Sequence, residues 1–120
     1  MREGPLELTE RFLNFAAGNI ALTAKLGRTL AGRYLAGQLL RSASSSGANY
    51  QEACGAESRA DFVHKMQIVL KELRESGYWL RLMAKASLAT ERELGPLRKE
   101  VDELTRIVAR SILTARSRAI

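Results

Sequence analysis

The chain has 120 residues and a net charge of +6, with 46% hydrophobic but only 6% aromatic residues. This length fits one domain and is too short for two of ordinary size. No apolar run approaches the roughly 18 residues of a membrane span, so we expect no membrane association. A single cysteine, Cys54, and an N-terminus without the features of a signal peptide predict a soluble, cytoplasmic protein.

Apolar residues at helical spacing predict an all-α fold. The two prolines, Pro5 and Pro96, leave most of the chain free of helix breakers. We predict a first helix at about 5–26, because Pro5 suits the first helical position and one face is apolar. The residues of that face are Leu8, Phe12, Phe15, Asn19, Leu22 and Leu26.

A serine-rich stretch at 41–53 has the composition of a linker, but its periodicity favours a helix at about 30–57. The heptad spacing of one face continues through the serines without a break. That face consists of Leu35, Leu39, Ser42, Ser46, Asn49, Ala53 and Ala56. We interpret this helix as buried, with small side chains that let a neighbour approach closely. Asn49 would then need a hydrogen-bond partner across the bundle.

Two capping patterns, beginning at Ser58 and Thr90, predict a third helix at about 59–89 and a fourth at about 91–117. Four helices with short connections predict one domain, an antiparallel up-down-up-down bundle. The third helix carries apolar residues away from its main seam, which either the fourth helix or another subunit must cover. These candidate subunit-interface residues are Ile68, Trp79 and Leu82.

The side-chain sets of common enzymes and metalloproteins are missing from the sequence. His64 is the only histidine, so di-iron sites with two Glu-x-x-His motifs and zinc sites built from Cys and His cannot form. A lone helical histidine is more often a surface or packing residue than a catalytic base. The glycines do not fall in a phosphate-binding order. We therefore expect no enzyme activity, no cofactor and no metal.

Two segments without acids, between Glu10 and Glu52 and from Arg106 onward, are rich in arginine and are candidates for nucleic-acid contacts. Their arginines could form an ordinary solvated surface matched to the helix dipoles, or a surface that binds phosphates. A symmetric ring would repeat each patch, which favours anion binding. The pair Tyr78-Trp79, in contrast, favours core or subunit interface over a base-stacking platform. The first candidates are Arg106, Arg110, Arg116 and Arg118, and the second are Arg28, Arg33 and Arg41.

A set of residues on the second and third predicted helices has a recognisable order and spacing: Arg41-Ser42, Ser45, Asn49-Tyr50, Glu52-Ala53, Phe62, Lys65, Lys71-Glu72, Glu75-Ser76 and Tyr78-Trp79-Leu80. With these residues the sequence resembles a bacterial family of four-helix-bundle proteins encoded in 23S ribosomal-RNA intervening sequences. The resemblance implies a homopentameric ring without enzymatic activity. A related branch is the accessory protein of diversity-generating retroelements, where a basic pentamer works beside a reverse transcriptase and its RNA.

Charge and resemblance together lead to a first hypothesis, a non-catalytic ring-forming bundle that binds RNA or DNA through its basic surfaces. The alternative is a protein-interaction scaffold, such as an accessory subunit of a reverse transcriptase, that does not touch nucleic acid. In that case the functional surface would be an exposed apolar patch, and the arginines would provide solubility or attract an acidic partner.

Overall fold

The computed structural model describes residues 4–118, and this part of the chain is helical apart from short connections. Helix α1 spans Pro5–Thr23, α2 spans Leu30–Cys54, α3 spans Arg59–Lys85 and α4 spans Glu91–Ser117. No strand occurs among the described residues, so the predicted all-α four-helix fold is confirmed. None of these four helices has an apolar stretch long enough to cross a membrane.

The helices form an elongated antiparallel bundle with overall dimensions of 52 × 26 × 22 Å. Each helix packs on the next one in the chain, and a sparser contact between α1 and α4 closes the bundle. Within residues 4–118 the Cα atoms of the diagonal pairs, α1 with α3 and α2 with α4, do not come within 8 Å of each other. The connections after α1 and α3 therefore lie at one end of the bundle. The connection after α2, the start of α1 and the end of α4 lie at the other end.

The apolar faces predicted from periodicity form one continuous core. All six residues of the predicted α1 face are buried, including the amide side chain of Asn19. The two phenylalanines of α1 reach the middle of the bundle, where the ring of Phe12 stacks on that of Tyr50 with centroids 4.9 Å apart. The largest fully buried apolar side chains of the other helices are Leu39, Met66, Leu73, Leu80, Met83, Leu94 and Leu104.

The serine-rich stretch lies inside α2, which confirms the helical interpretation. Ser42 and Ser46 are completely buried, and the Ser42 hydroxyl oxygen lies 2.8 Å from that of Ser76 on α3. On the neighbouring side, a Cβ atom at Gly47 would lie 3.0 Å from the Cβ of Phe12 on α1. Small residues therefore allow α1 and α3 to approach α2 closely, as the spacing predicted.

The interpretation of Asn49 as a buried residue bonded across the bundle is wrong. Asn49 is half-buried, and its Nδ2 donates to the Ser45 carbonyl one turn earlier in the same helix, at 2.8 Å. The fully buried amide is Asn19, whose Nδ2 donates to the Phe15 carbonyl. Its Oδ1 has no hydrogen-bond partner among the described residues. Periodicity identified both positions but could not distinguish the bundle centre from the edge of the face.

Three helices end earlier than predicted. Helix α1 stops before residue 26 because the N–H groups of Lys25 and Leu26 bond to carbonyls three residues back, which tightens the last turn. Gly55 caps α2. Helix α3 ends at Lys85, two residues before the left-handed Ser87, whose φ is 55°, and the Leu88 N–H returns to the Met83 carbonyl. This is the Schellman arrangement, which closes a helix at its last carbonyls.

Candidate nucleic-acid interface

Arg41 lies on α2, and its guanidinium contacts acidic side chains of α3. Its guanidinium makes ion pairs with Glu75 and, at 3.3 Å, with Glu72. Partial burial works to raise the pKa of Glu75, but hydrogen bonds from Arg41 and Trp79 outweigh it and hold that pKa below its usual value. Because two carboxylates already neutralise it, Arg41 is poorly suited to bind phosphate. We therefore leave it out of the interface proposed below.

The Arg41 contact predicts an acid-side dependence of stability. A carboxyl whose pKa is lowered by folding stabilises the protein above its unfolded pKa of about 4.3, and this contribution disappears as the pH falls through the folded value. We expect Arg41→Gln to have a lower urea midpoint than the wild type at pH 7, and the difference to shrink as the pH falls below about 4.3 and Glu75 becomes protonated. Parallel midpoints across this range would contradict the ion-pair assignment. Arg28→Gln, which removes an exposed charge that forms no ion pair within residues 4–118, is the control.

Other carboxylates lie along the seam between α1 and α4. The Arg11 guanidinium binds Glu100, with Nε 2.9 Å from Oε2, and also Glu103 at 3.0 Å. Near the other end of the seam, Lys25 Nζ lies 3.1 Å from Glu93. These ion pairs join helices and neutralise acids at helix contacts.

The outer surface between α3 and α4 holds a cleft of about 450 Å³ lined by three arginines, Arg74, Arg81 and Arg98. Arg98 lies 3.0 Å from Glu91. Neither of the two α3 arginines forms an ion pair with any residue in the 4–118 range. Tyr78 and Asp102 also line the cleft. Guanidinium groups can bind a phosphate through two parallel hydrogen bonds, so this cleft is suited to an anion.

Further exposed cations lie on the same two helices outside the cleft. On α3, Lys71 and Lys85 lie on the same outward side as Arg74 and Arg81. In chain order these four residues are three, seven and four positions apart, and all four are exposed. On α4, Arg106 and Arg110 follow Asp102 at four-residue steps and are exposed. We call this surface the α3–α4 basic face, and it comprises Lys71, Arg74, Arg81, Lys85, Arg98, Arg106 and Arg110.

The remaining arginines predicted from sequence are distributed over both ends of the bundle. Arg116 lines a second cleft between α3 and α4 with Arg59 and the exposed His64, near the chain termini. Arg118 caps the end of α4 and is exposed. Arg28 and Arg33 lie at the opposite end, beside the α1–α2 connection. The structure therefore does not bring the two predicted basic groups together.

The predicted subunit-interface residues lie on the side of α3 that faces α2. Ile68, Trp79 and Leu82 are half-buried within one chain. Trp79 makes edge contacts with Tyr34 and Tyr78, at centroid distances of 6.2 Å and 5.1 Å, and its Nε1 donates to Glu75. The sequence favoured a core or subunit-interface position for Tyr78. Its side chain is 52% exposed, so it does not belong to the core. Its side chain belongs to the arginine cleft.

Helix α1 carries an apolar stripe on the side opposite the core. Leu6, Leu13 and Ile20 follow one another at seven-residue intervals, and their exposed fractions are 80%, 57% and 58%. Exposed apolar side chains at this spacing typically mark a surface that another protein or subunit covers. In the sequence, Leu13 and Ile20 lie off the seam of α1 and indicate an apolar surface wider than one helix contact needs, but periodicity does not distinguish a wide buried face from an exposed stripe.

The arginines of the cleft were also missed by sequence analysis. Arg74 falls in no acid-free segment of the sequence, because it lies between Glu72 and Glu75. In the helix those two acids face α2, where they bind Arg41, and the basic residues face outward. The outward stripe could have been found by counting charge on each helical face.

Comparison with known proteins places this bundle in a family. The model of the 23S rRNA-intervening sequence protein family matches residues 6–110. Curated proteins give no match. A solved structure of a protein with unknown function from the S23 ribosomal protein family of Bacteroides thetaiotaomicron is 31% identical, with a TM-score of 0.83 over 90% of this chain and 96% of that chain. By both sequence and fold, this chain belongs to the 23S rRNA-intervening sequence protein family.

Proposed function

We propose that this protein is a non-catalytic helical bundle that binds RNA or DNA through the α3–α4 basic face. The observation that carries the proposal is the separation of charge around α3. Its acids bind Arg41 on the α2 side, while Arg74 and Arg81 remain unpaired within residues 4–118 and line an open cleft. From Arg98 to Arg110 the basic face extends about 18 Å along α4, a length comparable to about five base pairs.

The salt dependence of binding tests this proposal. Each phosphate neutralised by a cation releases counterions, so the logarithm of affinity falls by roughly 0.7–0.9 per phosphate for each log unit of salt. We expect a slope of about −3 to −5 for a labelled oligonucleotide, measured by fluorescence anisotropy between 50 and 300 mM salt. A slope near zero, or no binding at 50 mM salt, would exclude the basic face as a nucleic-acid interface.

We further propose that the bundle assembles into a ring, for which five copies is the number that the family resemblance implies. A ring needs two different complementary surfaces on each chain. The apolar stripe of α1 and the α2–α3 side with Ile68, Trp79 and Leu82 are the two candidates. Light scattering should then give a multiple of 13.3 kDa. A monomer at micromolar concentration would remove the ring from the proposal.

The exposed α1 stripe also supports a second candidate function, a scaffold that binds another protein. A reverse transcriptase, as in the related retroelement branch, is one such partner. Purification from the native host after nuclease treatment separates the two functions. A protein that stays bound without nucleic acid, and is lost with Leu13→Glu, would support the scaffold. Nucleic acid recovered from the untreated complex, and lost on reversal of the basic face, would support the first function.

A further inference from the structure

We infer that the α3–α4 basic face selects single-stranded over double-stranded nucleic acid, because Tyr78 offers its ring to an unpaired base. This inference rests on the proposed nucleic-acid binding and specifies its substrate. Tyr78 is 52% exposed in the middle of the arginine cleft. Arg74 lies four residues before it and Arg81 three residues after it, so all three share one side of α3.

Neighbouring aromatic residues fix the orientation of the Tyr78 ring. Trp79 meets it in a T-shaped contact with an interplanar angle of 74°. Trp79 is in turn held by Tyr34 and by a 3.3 Å hydrogen bond from its Nε1 to Glu75. A ring whose position is set before binding loses little conformational freedom when a base stacks on it. The aromatic cluster therefore supports a stacking surface that is already in place.

The two arginines beside Tyr78 are positioned to bind backbone phosphates of a nucleic-acid strand whose base stacks on the tyrosine ring. Arg74 and Arg81 lie about 10 Å apart along the axis of α3, one on each side of the tyrosine. Their long side chains can reach the phosphates that flank the stacked nucleotide. Asp102 of the same cleft can accept hydrogen bonds from a base amino group but repels phosphate.

A duplex can use only part of this site. Its phosphates can contact the arginines, but its bases are already stacked on each other and are closed to a protein ring. Single strands expose the faces of their bases, and stacking on an aromatic side chain strengthens binding without strict sequence preference. Tyr78 consequently adds to single-strand affinity and leaves duplex affinity unchanged.

The test compares one labelled 20-nucleotide strand with the duplex of the same sequence, by anisotropy at one salt concentration. We expect the wild type to bind the single strand at least tenfold more tightly. Tyr78→Ala should weaken single-strand binding about tenfold and change duplex binding less than twofold. Tyr78→Phe, which keeps the ring, should retain the preference. Leu30→Ala, which removes an exposed apolar side chain outside the cleft, should retain it as well.

The outcomes separate this inference from the function on which it rests. Equal wild-type binding of strand and duplex, or an equal loss of both with Tyr78→Ala, would overturn the single-strand selection and leave nucleic-acid binding intact. No binding of either probe would overturn both. Trp79, the only tryptophan, provides a second readout. Its fluorescence should be quenched by the single strand in the wild type and less so in Tyr78→Ala.

Discussion

Reversal of the two unpaired cleft arginines, Arg74→Glu with Arg81→Glu, should weaken nucleic-acid binding about 100-fold. Each charge-assisted hydrogen bond to phosphate contributes about 1.5–3 kcal/mol, and every 1.4 kcal/mol is a factor of ten. The slope of log affinity against log salt should also fall, by about 1.5 for two lost phosphate contacts. Anisotropy titrations over a salt series measure both quantities on the same samples.

A matched control separates local contacts from total charge. The pair Arg28→Glu with Arg33→Glu changes the net charge by the same amount, but these residues lie beside the α1–α2 connection, away from the basic face. We expect this variant to lose less than tenfold in affinity. If both double variants lose affinity equally, only long-range attraction operates, and the α3–α4 face is not the interface. Circular dichroism verifies that each variant stays folded.

Two glycines of α2 should respond to alanine with opposite signs. A Cβ at Gly32 would lie 2.2 Å from the Leu26 carbonyl oxygen and 2.9 Å from Thr29 Oγ1, so the α1–α2 connection would have to move. Such overpacking costs about 2–3 kcal/mol in the free energy of unfolding. A Cβ at Gly37 meets no atom within 4 Å. There, alanine improves helix propensity and should stabilise by up to about 1 kcal/mol.

Urea denaturation of Gly32→Ala and Gly37→Ala measures this contrast directly, because both substitutions add one methyl group to the same helix. The midpoint should fall for Gly32→Ala and rise for Gly37→Ala. If Gly32→Ala is neutral, the close approach of the Leu26 carbonyl to the first turn of α2 does not determine how α1 and α2 connect.

Periodicity was sufficient to predict most of the fold. The predicted inner face of α1 is buried as a whole, and α2 continues through its serines, because repeating contacts with neighbours impose a repeating pattern on the sequence. The ends of α1, α2 and α3 were predicted less well. They depend on hydrogen bonds in the last turn, such as those made by Leu26 and Leu88, which no apolar pattern records.

The candidate site was predicted less completely than the fold. Arg106 and Arg110 were selected from sequence and lie on the basic face, but Arg74 and Arg81 were hidden by acids adjacent in the chain. Arg41 was selected because no acid is near it in sequence, yet α3 supplies two. Pairing of charges between helices is a tertiary property. A linear count of charge could therefore indicate a basic protein but not its binding surface.

Because the contact between α1 and α4 is sparse, local opening of the bundle should occur more readily at this seam than at the others. Few residues pack there, and its ion pairs, such as Lys25 with Glu93, are partly exposed to solvent. The α2–α3 seam, in contrast, has more extensive packing and buried hydroxyl contacts. Amide protons of α1 should therefore exchange with solvent sooner than those of α2 and α3, since local opening there breaks fewer contacts. Helix α1 also carries the exposed apolar stripe, so a partner that covers the stripe would hold this seam closed and slow that exchange.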